Sequence, residues 1–418
     1  MLDYLESQAF SDAAAAFQRE AALDAAAAAG GRGKGLLVKK WTTIVRLSKQ
    51  VADLEKRAQV AEAAAVEAAA AAAAAASAAH QSGDQASGGG EASGARPRAH
   101  GGTRMLPVSG KTHLVALKGH RDTVTCVRAH PVYGLVASGS DDGTVKVWDA
   151  ESRALEKTLR GHAKAVNHVC FDPNGDTLAS CSTDLTIKLW SLTSYECTRT
   201  LTGHDHTVSA VAFLASGDQL VSGSRDGTLK LWETGTGYCV KTLAEARDPT
   251  WVRCVAVSPD GATVASAGND PTIRVWQLQP GTCVQSLSHH DQPVQALAFS
   301  PYPACVNEGG AGTSQLLASG GRDSLVCVWE MPSGLLLYVI SDHSNWVNDL
   351  FFHILDCRIL LSCADDRSVR VTDVAKRRAL RCLEDAHGHF VTSIALAPHV
   401  AKLVSSGVDK ELRIWDCR

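Results

Sequence analysis

The sequence predicts an all-β propeller of seven blades, preceded by a short α-helical segment and a coiled coil. The first observation is a repeated phrase: the skeleton of Ser138–Asp149, SGSDDGTVKVWD, returns down the chain at intervals of 42 to 53 residues. The second is that the chain after residue 103 consists of short alternating runs rich in Val, Leu and Thr, which are typical of strands. The third is an N-terminal region of helical spacing that precedes a stretch of Ala, Gly and Ser. A period near 40 residues is typical of four-stranded blades.

Each copy of the phrase carries a serine, an aspartate four residues later and a closing residue six residues beyond the aspartate. The serines are Ser138, Ser180, Ser222, Ser266, Ser319, Ser362 and Ser405, and the aspartates are Asp142, Asp184, Asp226, Asp270, Asp323, Asp366 and Asp409. The closing residues are Trp148, Trp190, Trp232, Trp276, Trp329, Thr372 and Trp415. A histidine precedes every copy except the fourth, at His120, His162, His204, His290, His343 and His387.

These repeated polar residues predict a structural network and not a catalytic centre. A hydrolase needs one nucleophile and one base, and seven equivalent sets cannot all be active sites. We expect the aspartate to accept hydrogen bonds from the turn backbone and from the histidine, the histidine to donate to the serine, and the serine to reach the indole. In the first three blades the network residues are His120, Ser138, Asp142, Trp148, His162, Ser180, Asp184, Trp190, His204, Ser222, Asp226 and Trp232.

The ends of the array predict how the ring closes. The last phrase, ELRIWDCR, has no fourth strand after it, whereas THLVALKGH supplies a strand before the first blade. Pairing residues 113–117 with the last blade would remove an exposed sheet edge. The long fifth interval contains a Gly- and Pro-rich insertion at 300–315, which we interpret as a surface loop, either a tolerated insertion or a binding loop.

Composition narrows the classes of function. The net charge of −3 argues against a broad surface for nucleic acid or anionic lipid. There is no apolar run long enough for a membrane span and no secretory signal pattern at the start. The 13 cysteines are scattered and form no Cys-x-x-Cys pair, which indicates reduced thiols in a cytoplasmic protein. We predict no metal, no cofactor and no enzymatic activity, because no nucleophile–base pair, phosphate loop or metal cluster stands out.

A partner is expected to bind where the blades differ at exposed loops. Two positions are informative, one just before each structural aspartate and one just before the valine that opens each blade. Arginine and large aromatic residues gather at or near these positions: Arg225, Arg253, Arg322, Arg367, Trp251, Trp346 and Phe390. Trp and Arg on one rim are typical of an interaction hot spot. The alternatives are a solvated loop charge for each arginine and packing against a neighbouring blade for Trp251.

The motifs resemble those of a known family. The Gly-His and Trp-Asp marks of the array are similar to WD repeats, and Tyr4, Leu5, Phe10, Phe17 and Glu20 resemble a LisH motif. LLVKKWTTIVRLSKQVADLE and ETGTGYCVKT are close to stretches of the lissencephaly and nuclear distribution F (NudF) family. The predicted domains are a LisH-like segment at 1–30, a coiled coil at 36–66, a flexible Ala/Gly/Ser-rich linker at 67–102 and the propeller at 103–418.

The resemblance implies a non-enzymatic regulator of cytoplasmic dynein. The family binds the dynein heavy-chain motor domain through one propeller face, at positions that match Arg225, Arg253, Arg322, Trp346 and Arg367. It relieves motor autoinhibition and acts in microtubule transport, nuclear positioning and division. The resemblance also implies a NudE-type coiled-coil protein as a partner and a homodimer through residues 1–66. It implies location at microtubules, at a microtubule-organising centre or centrosome, or in a cilium or flagellum. The family's LisH helix begins several residues earlier, so either dimerisation is weaker here or the natural start lies upstream.

Two other functions stay open from the sequence. One is a generic WD-repeat adaptor, either a substrate receptor of a ubiquitin ligase or a Gβ-like subunit. The other is the non-catalytic subunit of a platelet-activating-factor acetylhydrolase, a role that the family name also carries and that requires a separate catalytic partner.

Overall fold

The structure is a computed structural model that describes residues 115–244, 250–303, 314–354 and 356–417. The LisH-like segment predicted at 1–30, the coiled coil at 36–66 and the linker at 67–102 lie outside these residues, and so does most of the insertion at 300–315.

Seven antiparallel sheets of four strands, here called blades, make up the described part of the chain, and they confirm the predicted propeller. Blade 1 is β2 (Val124–Ala129), β3 (Leu135–Ser140), β4 (Thr144–Asp149) and β5 (Ala154–Arg160), and blade 2 is β6 (Val166–Phe171), β7 (Thr177–Ser182), β8 (Thr186–Ser191) and β9 (Cys197–Thr202). Blade 3 is β10 (Val208–Phe213), β11 (Gln219–Ser224), β12 (Thr228–Glu233) and β13 (Cys239–Ala244), and blade 4 is β14 (Val252–Val257), β15 (Thr263–Gly268), β16 (Thr272–Gln277) and β17 (Thr282–Ser288).

The remaining blades follow the same order from the central axis outward. Blade 5 is β18 (Val294–Phe299), β19 (Gln315–Gly321), β20 (Val326–Met331) and β21 (Leu335–Ile340). Blade 6 is β22 (Val347–Phe352), β23 (Ile359–Ala364), β24 (Val369–Asp373) and β25 (Arg378–Leu383). Blade 7 is β26 (Val391–Ala397), β27 (Lys402–Gly407), β28 (Glu411–Asp416) and β1 (Val115–Lys118), with a 3₁₀ helix at Pro398–Val400.

Strand β1 closes the ring as the sequence predicts. It pairs antiparallel with β28, with Val115 opposite Ile414 and Leu117 opposite Leu412. Residues 113 and 114, which were expected in the same strand, lie outside the described residues. The last blade therefore contains strands from both ends of the array, and its third strand is not left as an open edge.

Neighbouring blades pack face to face through small residues and tryptophans. Trp148 of blade 1 is buried against Val404 and Leu412 of blade 7, and the other repeat tryptophans are buried in a similar way. A Cβ atom added to Gly223 would lie only 2.6 Å from the side chain of Val252 in the next blade. The glycine in the Ser-Gly-Ser sequence of the second strands of blades 1 and 3 therefore follows from the close approach of the next blade.

The predicted His–Ser–Asp–Trp network is complete in blades 1, 2, 3, 5 and 7 of the described chain. In blade 3, Trp232 Nε1 donates to Ser222 Oγ at 2.7 Å, and Ser222 Oγ lies 2.7 Å from His204 Nε2. His204 Nδ1 lies 2.7 Å from Asp226 Oδ2, and Asp226 also accepts from the Thr228 backbone and hydroxyl. The network joins the loop before the first strand to the turn between the second and third strands.

The direction of donation differs from the expectation. An indole N–H can only donate, so the serine accepts from the tryptophan. The aspartate carboxylate can only accept, so the histidine carries its proton on Nδ1 and donates to it, and Nε2 of the neutral imidazole accepts from the serine hydroxyl. Burial lowers the pKa of His120 and of His162, which favours this neutral form although their aspartate partners oppose it. The expected donation from histidine to serine does not fit this neutral imidazole, because its one N–H points to the aspartate.

Two blades depart from the pattern. In blade 6, Thr372 stands opposite Leu360, in the register that tryptophan has elsewhere, and only the His343–Ser362–Asp366 part of the network forms. In blade 4, Trp276 still donates to Ser266 at 2.8 Å, but the sequence has no histidine between His206 and His289 to complete the network.

Because the serine of blade 3 has two side-chain partners and that of blade 4 has one, we expect a serine-to-alanine substitution to lower the free energy of unfolding more in blade 3. Ser222→Ala leaves both an indole N–H and a histidine nitrogen without a buried partner, and should lower the free energy of unfolding by about 2 kcal/mol. Ser266→Ala removes only the indole's partner and should cost about 1 kcal/mol. Urea unfolding of the full chain measures both changes, and equal losses would contradict the described network.

Hydrogen bonds lower the pKa of five network aspartates and so favour their ionised form. Burial alone would raise the pKa of Asp142, but hydrogen bonds from Thr144, from the Arg121 N–H and from His120 lower it to about 2. The same kind of balance lowers the pKa of Asp184 to about 2. The pKa is also lowered at Asp226, Asp366 and Asp409.

We expect the free energy of unfolding to fall as the pH is lowered. A carboxylate with a depressed pKa contributes stability that is present above its unfolded value of 3.8 and is lost as the pH falls toward its folded value of about 2. The buried histidines act in the same direction below their ordinary pKa, since the unfolded chain binds their protons more readily. The urea midpoint should therefore decline below about pH 6 and most steeply below about pH 4. A constant midpoint from about pH 7 to pH 3 would contradict this.

A charged contact across the central channel was not anticipated from the sequence. Arg128 of blade 1 donates to Asp349 of blade 6 at 2.8 Å and to Ser393 of blade 7 at 2.9 Å. Its other terminal nitrogen lies 3.0 Å from Nε2 of His168 in blade 2. Burial and the neighbouring Arg128 lower the pKa of His168 to about 3, so this imidazole is neutral and accepts the hydrogen bond. One side chain thus links four blades.

Candidate protein-binding surface

The two variable loop positions lie side by side on one face. In every blade the residue before the structural aspartate donates its backbone N–H to the carbonyl of the residue before the inner-strand valine. Arg225 donates in this way to Thr207 at 2.9 Å and Asn269 to Trp251 at 3.0 Å. The network histidine and aspartate belong to the same loop and turn, so we call this side of the propeller the His–Asp face.

Two arginines of this face stack on the tryptophans of the following blade. The guanidinium carbon of Arg225 in blade 3 lies 5.1 Å from the ring centroid of Trp251 in blade 4. That of Arg322 in blade 5 lies 4.2 Å from the ring centroid of Trp346 in blade 6. The tryptophans are 41% and 40% exposed, so each pair is open to a partner. Stacking of this kind contributes about 0.5–1 kcal/mol and orders the arginine before binding.

Arg253 lies at a β-bulge in the first strand of blade 4. In all seven blades the register shifts just after the inner-strand valine, and in blade 4 the shift falls between Val252 and Cys254, which leaves Arg253 unpaired in the sheet. Its Nε donates to Asn269 Oδ1 at 2.8 Å, beside the Arg225–Trp251 pair. Burial, followed by the charges of Arg322 and Arg225, lowers the pKa of Arg253. The guanidinium groups of Arg225 and Arg322 therefore lie close enough to Arg253 to disfavour its charge.

The central channel opens beside these arginines. A cavity of about 410 Å³ is lined by Arg253, Gln295 and Trp346, together with Asn348 and Asp365. The amide oxygen of Gln295, oriented to accept, lies 2.6 Å from Arg322 Nε. An open groove of about 470 Å³ runs along Arg322 and Trp346 between blades 5 and 6. A partner could thus place side chains in the groove and in the mouth of the channel.

Arg225, Arg253, Arg322, Trp251 and Trp346 form one cluster across blades 3 to 6, which we call the Arg–Trp surface. The other two residues that the sequence singled out have different side-chain partners among the described contacts. Arg367 lies in the turn of blade 6 and pairs with Asp385 at 3.3 Å. Phe390 in blade 7 is 39% exposed and packs edge-on against His389.

Two polar residues that support the surface were missed in the sequence. Asn269 fixes Arg253, and Gln295 receives Arg322. Both stand at positions that vary between blades, and this variation could have identified them. Neutral amides are less typical of interaction hot spots than arginine and tryptophan.

The chemistry of the Arg–Trp surface suits a protein partner that presents carboxylates. Arginine forks bind carboxylates in pairs of hydrogen bonds, and exposed indoles bury large apolar areas at the centre of an interface. Among the described residues, no group of three or more His, Cys, Asp or Glu side chains could hold a metal ion. No helix in the described ranges is long and apolar enough to cross a bilayer.

The fold and this face define a WD-repeat propeller built for binding. The WD domain, G-beta repeat family matches residues 111–149, 153–191, 195–233, 237–277, 281–330, 334–373 and 380–416. The chain belongs to the nuclear distribution protein family of PAC1 and NudF, as the sequence motifs indicated.

Three relatives illustrate the extent of the similarity. The nuclear distribution protein PAC1 of Coccidioides posadasii is 38% identical over 96% of this chain and 84% of its own length. The nuclear distribution protein nudF of Emericella nidulans is 36% identical over 87% of this chain and 79% of its own length. The nuclear distribution protein PAC1-1 of Uncinocarpus reesii is 36% identical over 90% of this chain and 81% of its own length. The matches therefore extend well beyond the repeats.

Proposed function

We propose that this protein is a non-enzymatic regulator of cytoplasmic dynein in nuclear distribution, and that the Arg–Trp surface binds the motor domain. The observation that carries the proposal is the cluster itself: three arginines and two exposed tryptophans meet on one face of the propeller. The names of the relatives support the process, since they are called nuclear distribution proteins.

The proposed mechanism is binding without chemistry. The guanidinium groups pair with carboxylates of the motor's ATPase ring, and the two indoles pack into its apolar pockets. Such a contact favours the motor conformation that fits it, which biases the motor away from its autoinhibited form. A NudE-type coiled-coil protein recruits the regulator, and a homodimer through residues 1–66 would place two propellers on one motor dimer. The protein would act in the cytoplasm, at microtubules and microtubule-organising centres, and also in a cilium or flagellum where one is present.

Direct binding tests the proposal. The full chain is immobilised and titrated with purified cytoplasmic dynein motor domain, and in parallel with cullin-type ubiquitin-ligase subunits and with the catalytic subunit of a platelet-activating-factor acetylhydrolase. We expect the motor domain to bind, with an affinity that weakens at higher salt. Arg225→Glu with Arg253→Glu should abolish binding, whereas Arg199→Glu with Arg378→Glu on the outer edge should not. Binding of a cullin or acetylhydrolase subunit, with no binding of the motor, would refute the proposal in favour of an adaptor or an acetylhydrolase subunit.

A further inference from the structure

Blade 4 lacks the histidine of its network and keeps a gap in that region. Ser266 accepts a hydrogen bond from Trp276, and the sequence offers it no imidazole. A cavity of about 20 Å³ lies there, lined among others by Ser266, Trp276 and Asp270. This is room for about one water molecule. The structural aspartate of this blade, Asp270, must therefore be held by other groups.

Arg274 supplies a donor to the aspartate in place of the missing histidine. Its Nη1 lies 2.6 Å from Asp270 Oδ2, and Thr250 Oγ1 donates to Asp270 Oδ1 at 3.2 Å. In blades 1 to 3 the equivalent position is a lysine that points the other way, to a threonine of the outer strand. These pairs are Lys146–Thr158, Lys188–Thr200 and Lys230–Thr242. Only in blade 4, among these four, does the third strand send its charge to the aspartate.

The turn that contains Asp270 contacts two residues of the Arg–Trp surface. Asn269 precedes Asp270, and its backbone N–H donates to the Trp251 carbonyl at 3.0 Å. Its side-chain oxygen accepts from Arg253 Nε at 2.8 Å. The conformation of this turn thus fixes where Trp251 and Arg253 stand.

We infer that Arg274 is a positioning residue for partner binding, which acts through Asp270 and Asn269 on Trp251 and Arg253. This inference rests on the proposed function, because it concerns the same surface. The ion pair takes over the role that the histidine–aspartate hydrogen bond has in the other blades. Without it, the Asp270 carboxylate keeps only Thr250 as a side-chain partner in the described contacts, and the turn can move.

Blade 7 provides a matched control. Arg413 occupies the same position as Arg274, and its Nη2 lies 3.5 Å from Asp409. There the aspartate is already held by His387 at 2.9 Å. The same truncation in blade 7 should therefore leave the aspartate and its turn in place.

The test compares Arg274→Ala, Arg274→Lys and Arg413→Ala in the full chain. We expect Arg274→Ala to weaken binding of the dynein motor domain about 10-fold, Arg274→Lys to restore most of it, and Arg413→Ala to change it less than about 2-fold. Far-ultraviolet circular dichroism is recorded for each variant to verify that the propeller is folded. Wild-type affinity in Arg274→Ala, or equal losses in both alanine variants, would overturn the inference.

Hydrogen exchange separates this inference from the proposed function. Without any partner, Arg274→Ala should speed amide exchange in peptides covering residues 266–270, where the Asn269 N–H bonds to Trp251, and leave residues 405–409 unchanged. Faster exchange together with no motor binding by the wild-type chain would refute the proposed function but retain the positioning role. Unchanged exchange at 266–270 would refute the positioning role even if the motor binds.

Discussion

Replacing Arg128 by methionine is expected to lower the free energy of unfolding by about 3 kcal/mol. The substitution keeps most of the apolar stem but removes the charge that meets Asp349, which is only 8% exposed. The Asp349 carboxylate would retain hydrogen bonds from Ser393 and from the Ile394 and Leu350 backbone, yet it would be left as an uncompensated charge. The loss is large because the remaining Asp349 carboxylate stays buried without an opposite charge.

Urea unfolding followed by tryptophan fluorescence measures this effect. Arg128→Met combined with Asp349→Asn should recover more than half of the loss, since no charge is then left alone in the channel. Arg160→Met, at an exposed position of the outer strand β5, is the matched control and should stay within about 0.5 kcal/mol of the wild type. A wild-type midpoint for Arg128→Met would show that the channel contact does not hold the ring closed.

Removal of Arg322 and Trp346 together should weaken binding of the dynein motor domain at least 100-fold, by about 3 kcal/mol or more. The two side chains are stacked at 4.2 Å and line the same groove between blades 5 and 6. Truncation removes a large apolar contact and a preordered guanidinium at once. The measurement is a titration of the full-length Arg322→Ala, Trp346→Ala variant with purified motor domain.

The control removes the same kinds of side chain from a different part of the propeller. Arg199→Ala with Tyr238→Ala deletes an exposed arginine and a tyrosine that is 76% exposed near the outer edge. That variant should bind like the wild type, because the outer edge is not the proposed face. Normal affinity of the Arg322→Ala, Trp346→Ala variant would exclude the Arg–Trp surface as the binding site.

The repeated positions made much of the fold predictable. The fixed spacing of serine, aspartate and tryptophan predicted seven blades. The extra strand before the first blade and the missing fourth strand of the last blade predicted the ring closure, which the pairing of Val115 with Ile414 confirms. The candidate surface was predictable for a related reason. Equivalent positions of a repeat occupy equivalent places, so the sequence alone assigns Arg322 and Trp346 to one face.

The contacts between blades could not be predicted in this way. Arg128 is the single charged residue at its position in the seven inner strands, but nothing in the local pattern says that Asp349, 221 residues away, is its partner. The pairing of Arg367 with Asp385 and the turn of Arg274 toward Asp270 lie within one repeat, but they depend on side-chain orientations that the spacing of the repeat does not set.

The sequence by itself determined the number of blades, the composition of the network in each blade and the face on which the variable residues lie. These properties depend on spacing within one repeat, where strand alternation and turn length leave little freedom. Only the tertiary structure decided which way the network protons point, which arginine stacks on which indole and which charges meet across the channel. Those contacts form between blades, and their geometry is set when the ring closes and brings distant residues together.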